Sequence, residues 1–314
     1  MDFPYAAILR KAYSLTRTNF QLWVLGVFLS LAMALNLLIV NLVMDKKKIV
    51  DFQLPDMGAL LEKLQSLLHS PLGIANILII AVILFLSALS KATVIWSGQK
   101  LAGGEPAPLK TALREAKRFV WPVLLLQIVL LFLFVVLFVS VAAPVVYLAV
   151  IQEIGRAVAL TILGLAILVP VSVLLILMFL YSPIFVVLYK VPAATALGLA
   201  FSLAQNKLKE SLILAAFLAG IGLIFMTLLV FSIIVVSVPI AFLSLLLAQI
   251  GLVWAIYSLI FITAFVGLCA VVILSAGFTI FTNLVWVLAV MEMVKTEKTD
   301  EKAQVLAPEA EPAA

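Results

Sequence analysis

The chain of 314 residues carries one histidine, His69, and one cysteine, Cys269. A lone thiol inside an apolar run forms no internal disulfide, and these two residues with scattered carboxylates do not make a zinc or haem site. No HExxH, no nucleophile elbow, no Gly-x-x-x-x-Gly-Lys-Ser/Thr loop and no pair of carboxylates within an apolar run is present. Gly103-Gly104 reads as a loop turn rather than a phosphate cradle. Catalysis and bound cofactors are therefore not expected. Among the polar side chains inside apolar runs, the candidates are amides and one lysine: Asn36, Asn41, Asn76, Gln127, Asn283 and Lys91. Amides at such depth either bond one helix to another or line a polar cavity.

These residues must be positioned by elements that water does not surround. The chain is 66% hydrophobic and 11% charged, against about 45–50% and about 25% in soluble domains. One aqueous core cannot hide that excess. The net charge is +5, but the basic residues flank apolar runs, so they point to lipid phosphates. There is no basic stripe interleaved with aromatics, and nucleic acid is not an expected partner.

Crossing ~30 Å of hydrocarbon takes about 20 helical residues. Apolar runs fall at 20–44, 72–97, 119–143, 157–189, 211–238 and 252–293, and none alternates with the period of a barrel strand. The expected fold is all-α, with six transmembrane helices. The first run follows Arg10, Lys11 and Arg17 but is too long for a signal peptide, so it reads as a retained span. Between Glu210 and Glu292 there is no charge at all. That stretch is divided by analogy, because "PVVYLAVIQEIG" (144–155) resembles "PIAFLSLLLAQIG" (239–251). Proline disfavours helix in the residue before it, so Pro144 and Pro239 are expected to end spans three and five. Pro170 and Pro183 are expected as kinks within span four.

Three short segments precede the odd spans: 5–19, 107–118 and 192–209. Each reads as an amphipathic helix lying in the interface. In the middle one, Leu109, Ala112, Leu113, Ala116 and Val120 oppose Lys110, Arg114, Lys117 and Arg118. In the first, Tyr5, Ile8, Leu9 and Ala12 oppose Arg10, Ser14 and Arg17; in the third, Leu197, Ala200, Ala204 and Leu208 oppose Gln205, Asn206 and Lys209. The chain thus reads as three repeated units, about 4–98, 106–190 and 192–294, each an interfacial helix plus a helical hairpin. One domain covers 1–295, and 296–314 is expected as a disordered cytoplasmic tail. Fifteen of the 20 basic residues fall on the side of the two termini, which predicts that both are cytoplasmic.

Each even span ends near a lysine: Lys91, Lys190 and Lys295. These either snorkel to headgroups or form a ring of cations meeting an anionic lipid or solute. The candidate contacts for anionic lipid are Arg10, Lys11, Arg17, Lys110, Arg114, Lys117 and Arg118, with Lys91 and Lys190. The outer connector 45–71 holds a leucine-striped helix ending at His69, expected as a lid on the outer surface.

The phrase "ILRKAYSLTRTNFQLWVLG" ahead of three helix pairs resembles prokaryotic six-helix membrane proteins. These are similar to the membrane domain that some glycerophosphoryl diester phosphodiesterases carry. The resemblance implies a multi-pass protein of a prokaryotic plasma membrane, without the soluble phosphodiesterase barrel. Two functions are expected: a non-enzymatic protein that organises or senses anionic membrane lipid or scaffolds a protein partner, or a transporter or channel with a cavity between repeats.

Overall fold

The computed structural model describes residues 3–30, 71–250 and 252–306. Among them no strand occurs, and the chain is built from α1 (Tyr5–Thr18), α2 (Gln21–Ser30), α3 (Pro71–Ala102), α4 (Leu109–Ala116), α5 (Val120–Val150), α6 (Ile154–Tyr189), α7 (Ala193–Asn206), α8 (Leu208–Gln249) and α9 (Val253–Leu306). A 3-10 turn at Lys117–Phe119 joins α4 to α5. Among the described residues five helices are long and apolar enough to cross a membrane, which marks a multi-pass membrane protein. Most of the expected first span, with Asn36 and Asn41, lies outside the described residues, as does the connector 45–70 with His69.

Two expected boundaries are corrected. α5 runs through Pro144 to Val150, and α8 runs through Pro239 to Gln249. A proline inside a helix frees one carbonyl, but abandoning the helix in a solvent without hydrogen bonds would free several. The break between α5 and α6 falls instead at the polar residues beyond. Gln152 takes a left-handed φ of 61°, and Arg156 pairs with Glu153 at 3.3 Å. Pro170 and Pro183 do lie inside α6. The last helix runs to Leu306, so helix extends over 296–306, where a disordered tail was expected. Glu, Lys and Ala are good helix formers, and Lys295 bonds back to Glu292 at 3.2 Å.

The chain forms two compact units. The first gathers the start of the chain to Leu15, Leu84–Ser211 and the chain from Asn283. Its core lies at helix ends: Tyr181 through Val187 on α6 and Leu284 through Val290 on α9 are buried without interruption. Close packing explains Gly98, where an added Cβ would stand 2.8 Å from a methyl of Leu284. Elsewhere this unit is bare, as on α5. From Leu131 to Val136 every side chain is exposed, more than a full turn.

The second unit gathers the described residues of Thr16–Ile83 and Leu212–Thr282. α2 meets α9 closely here: a Cβ on Gly26 would strike the backbone of Ala276, and one on Gly277 would come within 2.9 Å of the Trp23 ring. Phe225 of α8 stacks on Phe278 of α9, with centroids 4.8 Å apart and planes 5° from parallel. Beyond these contacts α8 is bare, and Phe231 through Pro239 are all exposed.

Candidate functional site

The amphipathic faces come first, because they carry most of the expected cations. On α4, Ala112 and Ala116 are buried, as is Val120 at the start of α5, while Lys110 and Arg114 of α4 and Lys117 and Arg118 of the turn after it are exposed. On α1, Ile8 and Ala12 are buried and Arg10 and Arg17 exposed. Lys11 is exposed along its stem, and its Nζ donates to the Ala102 carbonyl at 2.9 Å. A cation at the last carbonyls of a helix satisfies an orphan acceptor and suits the negative end of the helix dipole. At the foot of the same helix, burial holds the Tyr5 hydroxyl above its ordinary pKa, and the Glu210 carboxylate adds to the rise. On α7 the buried stripe is Ala196, Ala200, Leu203 and Ala204. The expected face keeps Ala200 and Ala204, but Leu197 and Leu208 are only half-buried, and Ala196 and Leu203 complete the buried stripe.

Lys91 is unlike the other cations. Its residue is 6% exposed, and no carboxylate pairs with it among the described residues. Its Nζ donates to the carbonyl of Phe179 at 3.2 Å and sits 4.2 Å from the centre of the Phe179 ring. Phe179 is four residues before Pro183, so its carbonyl is the one that Pro183, lacking an N–H, leaves without a helical donor. The ammonium from α3 takes that place. Burying a charge costs several kcal/mol, of order, unless it is met by polar groups; here a carbonyl and the negative face of a ring meet it. Beside it, the Ser182 hydroxyl donates to the Met178 carbonyl. Next to Ser182 in the chain, the Tyr181 hydroxyl donates to Ser211 Oγ at 2.6 Å, and Ser211 donates to the Lys207 carbonyl at 2.6 Å. Trp286 stands edge-on to Tyr181 at 5.8 Å.

Beyond this cluster, at the ends of α3, α4 and α6 and the 3-10 turn that follows α4, lies a cavity of about 680 Å³. Its apolar wall includes Trp96, Phe119, Val187 and Leu188, and its polar rim includes Lys100, Glu105, Glu115, Arg118 and Lys190. Lys100 is bound tightly to Glu105 at 2.6 Å. Glu115 has only loose partners, Arg114 at 3.9 Å and Arg118 at 4.0 Å. Lys190 ends α6 in the left-handed region, with φ of 55°. It makes no ion pair or hydrogen bond among the described residues. Gly104, with φ of 79°, turns the chain between α3 and α4, which is the loop role its sequence suggested.

The cavity thus brings together two expected cations, Arg118 and Lys190, and leaves the others apart. Of the amides, Gln127 and Asn283 are half-buried and Asn76 falls within α3. Sequence reasoning missed Trp96, Lys100, Glu115 and the Tyr181–Ser211 pair. Their only signal was position near span ends, which many residues share. Among the described residues no group of side chains could hold a metal. No family model matches the chain, and neither a curated protein nor a solved structure does.

Proposed function

We propose that the chain organises or senses membrane lipid, without enzymatic activity, by holding anionic lipid along the basic faces of its interfacial helices. In this reading six spans form three repeated units. Both termini are cytoplasmic in a prokaryotic plasma membrane, and a protein partner can be scaffolded on the same side. The likeness to the membrane domain of glycerophosphoryl diester phosphodiesterases belongs to this reading.

The observation that carries it is the division of α4. Lys110 and Arg114 of α4 and Lys117 of the turn after it are exposed, opposite buried Ala112 and Ala116, and the segment leads directly into a membrane-length helix. A basic face so placed lies at phosphate level, and each cation adds on the order of 1 kcal/mol of attraction to anionic lipid. Native mass spectrometry of protein purified from membranes tests it. The triple variant Lys110→Ala/Arg114→Ala/Lys117→Ala is expected to retain markedly less anionic lipid than the wild type; equal retention would refute the reading.

A further inference from the structure

We infer that the cavity between the ends of α3 and α6 is a one-to-one site for the phosphate head of a lipid, distinct from the diffuse film of lipid on the basic faces. The inference rests on the lipid-binding reading and narrows it to named residues.

The charges at the rim are unequal. Lys100 is neutralised by Glu105 at 2.6 Å. Arg118 touches Glu115 only at 4.0 Å and stays largely in the open. Lys190 makes no ion pair among the described residues. Two cations with donors to spare therefore face the cavity, and phosphate is the group that a guanidinium fork and an ammonium bind together. Loosely held Glu115 lies on the same rim, so an entering phosphate displaces that contact rather than a firm one.

The apolar side of the cavity answers a different chemistry. Val187 and Leu188 belong to the membrane-length part of α6, which ends at Tyr189, and Lys190 follows at once. A ligand seated against them has its polar end at Lys190 and its apolar end against Trp96 and the aliphatic wall. The cavity volume of about 680 Å³ suits a headgroup and the first part of its chains rather than an ion alone. The carbonyl ends of α3 and α6 oppose an anion. At α3 that opposition is blunted by Lys11, which already caps Ala102 at 2.9 Å.

Lys190 permits a clean test, because Asn tolerates the left-handed conformation and carries no charge. The full chain in nanodiscs of phosphatidylcholine is titrated with dioctanoyl phosphatidic acid, with dioctanoylglycerol and with inorganic phosphate. Bound molecules are counted by native mass spectrometry. One phosphatidic acid per chain is expected to bind, dioctanoylglycerol is expected to bind far more weakly, and excess inorganic phosphate is expected not to displace the lipid. Lys190→Asn should weaken the site by about tenfold or more, the scale of one charged hydrogen bond, and Lys190→Arg should restore it. The triple variant on the outer face of α4 should leave this one site intact. Equal weakening by the triple variant and by Lys190→Asn would overturn the pocket and leave the wider lipid reading standing. Displacement by inorganic phosphate would overturn the lipid as ligand. Absence of any retained lipid would overturn both.

Discussion

Pro183 and Pro239 stand in similar sequence, inside long apolar helices, and meet opposite surroundings. Around Pro183 every residue from Tyr181 to Val187 is buried, and a lysine from another helix serves the carbonyl that the proline frees. Around Pro239 every residue from Phe231 to Pro239 is exposed. A hydroxyl on the same helix, Ser237, donates back to Ile233 at 2.7 Å. Polar groups with partners from other helices gather at one end of the spans, while the bare lengths have only their own backbone to bond. A surface apolar on all sides is stable only against hydrocarbon or protein, so the bare lengths suit the bilayer, and the polar contacts between helices lie away from them.

The contrast can be broken by substitution, and the largest effect is expected at a helix contact. Gly26→Leu drives a side chain into the backbone of Ala276 and should cost about 3 kcal/mol, read as a lower detergent-unfolding midpoint. Gly220 has nothing near the place of a Cβ. Gly220→Ala should instead be neutral or gain up to about 1 kcal/mol, so equal losses at both would void the packing described.

The next effect sharpens the comparison of the prolines. Lys91→Met strands the Phe179 carbonyl but also removes a buried charge, so the readout is the coupling with Pro183→Ala, which supplies the missing N–H. The cycle should show about 1–2 kcal/mol of coupling, with the lysine mattering more when Pro183 is present. The matching cycle with Pro239→Ala should show none. Coupling of the same size at both prolines would mean that Lys91 acts in some other way. A smaller loss, about 1 kcal/mol, is expected for Tyr181→Phe, since Ser211 keeps its bond to the Lys207 carbonyl.

Much of the scaffold was legible in the sequence, because apolar runs of span length and a 3.6-residue alternation of Ala and Lys are local signals. The faces of α1 and α4 follow directly from that alternation. The ends of α5 and α8 were not legible from their prolines, since the preference of an isolated residue before proline yields to the cost of unpaired backbone in lipid. On α7 the expectation held for Ala200 and Ala204 but missed Ala196 and Leu203, because the helix is rich in alanine, and small residues mark a buried face as well as leucine does. The partner of Lys91 lies 88 residues away, and no local pattern joins a lysine on one helix to a proline on another. The cavity escaped notice for the same reason, as its walls come from chain segments ending near Lys100, Phe119 and Lys190.

Cys269, the sole cysteine and an exposed one, lies within the bare length of α9. A spin label there, with the protein in phospholipid vesicles, reports its solvent directly through collisions with oxygen and with a water-soluble nickel chelate. The account predicts frequent collisions with oxygen and almost none with nickel. Ready access of nickel would show water where hydrocarbon is required, and would contradict the membrane reading on which the lipid sites depend.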